Sequence, residues 1–337
     1  MHRTPVFITG AAGFIGSHLA RACLAAGHDV HLLTRPGSDL SRLADLRANV
    51  TLHCSDLNNQ GLLRRILAAV QPEIIFHLAA NPRRPRQDNL ADLSASLKAD
   101  IAGFVSLLRA AETLATPPRR MIRAGSLAEY GAATPPYREE MREAPLTVYG
   151  ASLLAGTHFA EAVQPRLAFP VDTARLALVY GPRQSTDYFL PLLISRCLRG
   201  EETIVRRPHD RRNLVHIDDA VCALLAMAAR DGPGAIVNIV GPSAPTMTDV
   251  AELVREMTGA DGWQIVYEDG HGQNGTTNLD GSGARADQLF GWRAQIALPD
   301  GLAQTIRLFR QHLLEHDTAS GGVVKHSDRT LSGALAP

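Results

Sequence analysis

Three glycines spaced by three, Gly10, Gly13 and Gly16, follow the apolar run Val6, Phe7, Ile8 and open the helical pattern Phe14, Ile15, Ser17, His18, Leu19. The order is strand, tight turn, helix. Such a turn lets backbone approach a ligand, and the helix start offers unpaired N–H groups and a positive dipole end, which suits a pyrophosphate. The spacing is G-x-x-G-x-x-G rather than G-x-G-x-x-G. The strand–turn–helix context therefore carries the dinucleotide reading; a glycine-rich turn without a ligand is the alternative. The second strand ends at Thr34 and Arg35, about 20 residues further on, where a carboxylate would accept from ribose hydroxyls and select NAD. Arg35 instead pairs a 2′-phosphate, with Ser38 and Arg42 close by. That reading prefers NADP(H) and leaves NAD(H) possible; a solvated loop arginine is the alternative.

Ser55, Asp56 and Leu57 follow the third strand, at the sheet edge where ligands gather in open α/β folds. Asp56 either accepts from an adenine amino group or caps the next helix. His77, Leu78, Ala79 and Ala80 close the fourth strand. The small residues admit a cofactor, and His77 reads as a core histidine.

These residues need a sheet to align them. Strands are expected at 6–8, 28–34, 50–54, 73–77, 119–124 and 171–179, with helices at 14–26, 61–70, 92–114 and 148–163. Alternation at these lengths implies right-handed crossovers and a parallel, doubly wound Rossmann sheet, an α/β fold. Past Gly181 and Pro182 the rhythm changes. A helix at 189–198, short strands at 203–205, 236–239 and 264–267, and helices near Val221, Val250 and Leu302 suggest a smaller C-terminal α/β lobe. The expected division is a dinucleotide-binding domain at 1–180, to which later segments return, a substrate lobe at 181–315, and a Ser/Gly/Ala-rich disordered tail at 316–337.

The 337 residues are 45% apolar, with Lys+Arg and Asp+Glu at 34 each. Zero net charge gives no electrostatic case for nucleic acid or a membrane surface. Cys23, Cys54, Cys197 and Cys222 form no C-x-x-C pair, so neither a metal site nor a disulfide framework is expected; Cys23 and Cys222 read as core residues. No apolar run approaches a membrane span, and the first strand begins at once, so a cytoplasmic protein is expected. Lysine occurs only at Lys98 and Lys325.

Further motifs stand in order: Ser126 with Tyr130 and Gly131; Tyr149, Gly150, Ala151, Ser152; Val179, Tyr180, Gly181, Pro182; and Val215, His216, Ile217, Asp218, Asp219. Together with the glycine turn, Asp56–Leu57 and the 77–80 segment, they resemble the extended short-chain dehydrogenase/reductase family of NAD(P)-dependent sugar-nucleotide epimerases, dehydratases and reductases. The resemblance runs from Val6 to about Phe309. It implies that Tyr149 is the acid/base and that the Ser126 hydroxyl bonds the substrate oxygen. It implies cofactor contacts from Gly10, Gly13, Phe14, Ile15, Gly16, Leu57, Leu78, Ala79, Ala80, Tyr149 and Val179. It implies a substrate site using Arg212 toward a diphosphate, with Arg183 and Tyr130, and a homodimer built on the 92–114 and 148–163 helices.

The chain departs from the family pattern at named places. The family's lysine four residues after the tyrosine is Leu153, and Lys98 reads as a surface residue. A free phenol titrates near 10, so without that lysine Tyr149 is a better donor than base, which favours reduction. The acid pair of the dehydratases is replaced by Leu127 and Ala128. The 125–131 segment resembles that of reductases of 4-keto-6-deoxy nucleotide sugars. The usual asparagine before Val179 is Leu178, which weakens the pyrophosphate site; Arg206, Arg207 and Arg211, and Arg83, Arg84 and Arg86 after His77, add positive charge. The leading expectation is an NADPH-dependent reductase of a 4-keto-6-deoxy nucleotide sugar. A redox-neutral 4-epimerase, a reductase of a non-nucleotide carbonyl and an NADP(H)-binding protein with little turnover are the alternatives. Asp218 and Asp219 are expected to be cap and first-turn acids.

Overall fold

The structure is a computed structural model that describes residues 3–81, 89–259, 265–268 and 278–320. Arg83, Arg84, Arg86 and residues 321–337 of the expected tail lie outside them. Six strands, β1 (Pro5–Thr9), β2 (Asp29–Thr34), β3 (Thr51–Cys54), β4 (Ile74–His77), β5 (Arg120–Ser126) and β6 (Val171–Leu176), build one sheet with Ile236–Ile239. Every pairing in it is parallel, and the order is β3-β2-β1-β4-β5-β6 followed by Ile236–Ile239. The expected doubly wound α/β sheet is present. The order reverses between β1 and β4, which makes their C-terminal ends the crevice for a ligand.

Strands buried on both faces must be apolar throughout, and β1 and β4 are. One face packs Val6, Ile8, Phe76, Ile122 and Leu224; the other packs Phe7, Ile75, Phe104, Leu107 and Met121. One cluster of charge in this core is compensated internally. Asp172 of β6 accepts from Arg120 at 2.7 Å, from Arg230 at 2.6 Å and from the Ala235 amide at 2.7 Å. That cluster ties β5, β6 and the segment leading to Ile236–Ile239.

Four expectations about elements are corrected. The sixth strand does not run to Val179. It breaks after Leu176 because the Leu178 amide bonds Asn213 O at 3.1 Å, and Leu178–Tyr180 pairs with Leu214–His216 instead. Ile236–Ile239, grouped by sequence with the C-terminal pieces, takes the seventh place in the main sheet beside β6. The long helix comes in three pieces, Ala91–Ser96, a π-helical turn Leu97–Ala102, and Gly103–Glu112. The helix Leu298–Ser320 also continues past His316, where the tail was expected to begin.

A separate core gathers Tyr180, Leu190, Leu193, Val205, Leu214, Val250 and Leu302 beyond the sheet edge. Cys23 is buried, whereas Cys222 is exposed. Among the described residues no helix is long and apolar enough to cross a membrane.

Candidate active site

The glycine turn is shaped by close approach. Gly10 has φ +70°, and a Cβ there would lie 2.6 Å from the Leu78 carbonyl carbon and 2.7 Å from the Ala79 nitrogen. Neither the backbone conformation nor the space admits a side chain. A Cβ on Gly16 would collide with Gly10 O. Gly13 is the N-cap of the helix Phe14–Ala25, and no side chain caps that end. The helix therefore keeps its N–H groups and dipole directed at the crevice.

A cavity of about 1040 Å³ opens there. It brings together Gly10, Gly13, Phe14, Ile15, Gly16, Arg35, Ser38, Leu78, Ala80, Ser126, Tyr149, Val179 and Arg212 of the expected set. A dinucleotide fits this ground: a cradle that any Cβ would fill, and an uncapped helix end. Arg35 is exposed and its side chain makes no hydrogen bond or ion pair among the described residues, while Asp39 nearby is engaged by Ser41.

Other expected residues fall elsewhere. Leu57 is core, packed under Gly103. Asp56 is exposed outside the cavity lining and accepts the Asn58 amide at 2.7 Å; the cap of the next helix is Asn59, not Asp56. Ala79 packs against the core and meets the turn only through its backbone. Tyr130 is fully buried, stacked on Tyr137 at 4.7 Å, and donates to Asn238 at 2.9 Å, so its hydroxyl is used inside the protein rather than in the cavity. Arg183 sits outside the lining, where it pairs with Asp45 at 3.6 Å and its carbonyl accepts from Arg42. Asp219 is no simple helix acid: buried, it accepts the amides of Gln295 and Ile296, and His216 caps that helix.

Ser126 ends β5 and caps a short turn, Leu127–Glu129. Its Oγ accepts the Ala128 amide at 3.1 Å, and its own amide donates to Glu129 Oε1 at 3.1 Å. The hydroxyl proton is left for another acceptor. Tyr149 lies in the first turn of the helix Val148–Val163, which Thr147 caps by accepting the Gly150 amide at 3.0 Å.

Burial pushes the Tyr149 phenol above its ordinary range; Glu129, Tyr188 and Asp100 push it further, and Arg123 pulls it back. Leu153, one turn on, is buried and Lys98 is exposed. Tyr149 is thus a protonated phenol at neutral pH.

Sequence reasoning missed the charges behind this site. Glu129, fully buried, accepts from Thr157 at 2.8 Å and from Arg175 at 2.9 Å; Arg175 also donates to Glu143 at 2.5 Å. Asp100, in the π-helical turn, accepts from Ser96 at 2.7 Å and Ser152 at 3.3 Å. Arginines at 120, 123 and 175 inside otherwise apolar strands were the available signal. At the other end of the cavity, Tyr188, Phe189, Leu190, Met247 and Val250 join Arg206, Arg207 and Arg212. Arg212 is bonded to Asp210, and burial lowers its pKa against that pairing.

Comparison with known proteins agrees with this geometry. The chain is 29% identical over 322 residues to a UDP-glucose 4-epimerase of Mycolicibacterium smegmatis, covering 90% of this chain and 97% of that one. It is 27% identical over 322 residues to a dTDP-glucose 4,6-dehydratase of Streptomyces niveus, covering 91% and 93%. The UDP-glucose 4-epimerase of Thermotoga maritima, solved with UDP-glucose, superposes with a TM-score of 0.83 at 25% identity, covering 91% and 99%. MoeE5, solved with UDP-glucuronic acid and NAD, superposes with a TM-score of 0.80 at 29% identity over the same shares. Residues 6–240 match the NAD dependent epimerase/dehydratase family, and the chain belongs to that family of extended short-chain dehydrogenase/reductase enzymes.

Proposed function

We propose that the protein is an NADP(H)-dependent reductase of a 4-keto-6-deoxy nucleotide sugar, with Tyr149 as proton donor. The observation that carries this reading is the setting of Tyr149. Burial, with the charges of Glu129 and Asp100 adding to it, raises the pKa of its phenol, and Leu153 stands where the family pattern has lysine. A phenol so placed stays protonated at neutral pH, so it is available as a donor and not as a base.

Gly10, Gly13, Gly16 and the amides of Phe14 and Ile15 hold the pyrophosphate of a nicotinamide dinucleotide, and Arg35 with Ser38 meets a 2′-phosphate. Leu78, Ala80 and Val179 line its course along the sheet edge. When bound, that cofactor supplies hydride to the substrate carbonyl. Ser126 donates to the carbonyl oxygen and fixes its position, and Tyr149 delivers the proton as charge develops there. Arg212, with Arg206 and Arg207, holds the diphosphate, and the apolar wall of Phe189, Leu190, Met247 and Val250 receives the base. In this reading residues 1–180 hold the cofactor and 181–315 the substrate. The exposed Leu93, Leu97, Val105 and Phe159 supply a homodimer face on the two long helices.

The test is NADPH consumption with a panel of 4-keto-6-deoxy nucleotide sugars. Stoichiometric oxidation supports the reading. A redox-neutral 4-epimerase is the second reading, favoured by the similarity to UDP-glucose 4-epimerases. Interconversion of UDP-glucose and UDP-galactose without net cofactor change would establish it.

A further inference from the structure

The fully buried carboxylate of Glu129 is shared by three elements. Its Oε1 accepts the Ser126 amide at 3.1 Å, at the end of β5. Its Oε2 accepts the Thr157 hydroxyl at 2.8 Å, from the Val148–Val163 helix, and Arg175 Nε at 2.9 Å, from β6. Charge balance on Arg175 does not require it, because Glu143 already pairs with that guanidinium at 2.5 Å. A buried ion pair is also a poor stabiliser beside apolar side chains of similar volume. The chain nevertheless clears space for this carboxylate: a Cβ on Gly125 would collide with Glu129 Oε1. What the carboxylate holds is the turn that carries Ser126. A serine hydroxyl at a strand end can rotate among its staggered wells. Here Oγ accepts the Ala128 amide at 3.1 Å, which selects one well, and that bond lasts only while the turn Leu127–Glu129 stays closed. Glu129 closes it by reaching back to the Ser126 amide, and Thr157 and Arg175 keep Glu129 from swinging out.

We propose that Glu129 is a positioning residue for the reaction: it acts through Ser126, fixing the hydroxyl that meets the substrate oxygen, and it ties that hydroxyl to the helix that carries Tyr149. Glu129 itself stands outside the cavity lining, whereas Ser126 and Tyr149 are part of it. Thr157 lies about two turns beyond Tyr149 on the same helix, so one carboxylate sets the end of β5 against that helix. This rests on the reading of Ser126 and Tyr149 as the groups that meet the carbonyl, whichever carbonyl is reduced. Glutamine does not reproduce the arrangement: an amide that still accepts from Ser126 turns its N–H groups toward the donor of Arg175. Arg175 keeps Glu143 in that variant, so its charge is not left unpaired.

A double-mutant cycle reads the link. With a carbonyl that the protein reduces, Glu129→Gln should lower kcat by about ten- to a hundredfold, the scale of a small misplacement, and leave KM within about twofold. In the Ser126→Ala background the same change should cost less than about twofold, because the hydroxyl it would misplace is gone. A residue needed only for folding lowers the melting temperature and leaves kcat of the folded protein unaltered. A residue acting elsewhere in the site costs the same factor in both backgrounds. Either result overturns the proposal. Room-temperature crystallography gives a reading without substrate: the Ser126 hydroxyl should occupy a single rotamer in the unaltered protein and more than one in Glu129→Gln. A single, unmoved rotamer in the variant overturns the proposal. If Glu129→Gln does not fold, Gly125→Ala, which displaces the carboxylate and keeps its charge, decides by the same cycle and the same rotamers. A protein that reduces no carbonyl but frees the Ser126 hydroxyl in the variant overturns only the reductase assignment.

Discussion

The Arg123 guanidinium donates a 2.6 Å hydrogen bond to the Leu153 carbonyl, joining a buried strand charge to the helix turn that follows Tyr149. The family pattern puts its charge on the side chain at position 153; this chain puts one against the backbone there. In the otherwise unaltered protein, Leu153→Lys therefore adds a second cation beside the first. We expect no gain in turnover and a loss of about 2 kcal/mol of stability from the buried charge and lost packing. Thermal melting and steady-state rates check both; a faster enzyme of undiminished stability would show that position 153 was lacking a charge.

The proposed preference for NADP(H) rests on Arg35, exposed just after β2 with its side chain free of partners among the described residues. A charge-assisted contact with a 2′-phosphate is worth about 1.5–3 kcal/mol. Arg35→Ala should weaken NADPH binding by about ten- to a hundredfold and leave NADH binding nearly unchanged, as read by fluorescence titration. Tighter binding of NADH than NADPH by the unaltered protein would remove the argument.

Tyr130 serves the fold, not the substrate. Tyr130→Phe leaves Asn238 Oδ1 without its phenol donor in a fully buried setting. The expected cost is about 1–3 kcal/mol of stability, with KM for any substrate unaltered. A raised KM with unaltered melting would return Tyr130 to the site.

Acid should weaken the fold through His77. It is buried, bonded to Thr9 Oγ1 at 2.8 Å, and its pKa is lowered from 6.5 to about 3, chiefly by burial and further by Arg123. The folded state thus binds fewer protons than the unfolded chain between those values. The contribution is fully present above the unfolded pKa and is lost as pH falls toward about 3, amounting to about 2 kcal/mol at pH 5. His77→Asn should flatten the fall in stability between pH 7 and pH 5; an identical slope in denaturant titrations would assign that fall to other groups.

The sheet was legible because burial on both faces writes itself as apolar runs, and the glycine turn because no other residue fits against Leu78 and Ala79. Ile236–Ile239 was misplaced because a short apolar strand carries no mark of its neighbours, and its place beside β6 is set by pairing across the chain. Tyr130 was misread because a tyrosine motif does not say whether the hydroxyl points into a cavity or at Asn238. Arg123 and Glu129 were overlooked for the opposite reason. A charge in a buried strand or turn looks like a surface residue until its partners are known, and those partners lie on the Val148–Val163 helix and β6.

The central claim is that Tyr149 gives a proton during a net reduction. The most direct measurement follows NADPH oxidation at 340 nm while the unaltered protein and Tyr149→Phe act on a 4-keto-6-deoxy nucleotide sugar. The account predicts one NADPH consumed per sugar reduced and a loss of about 10²–10⁴-fold in kcat for Tyr149→Phe. Equal rates for the two proteins, or sugar interconversion with no NADPH consumed, would contradict it.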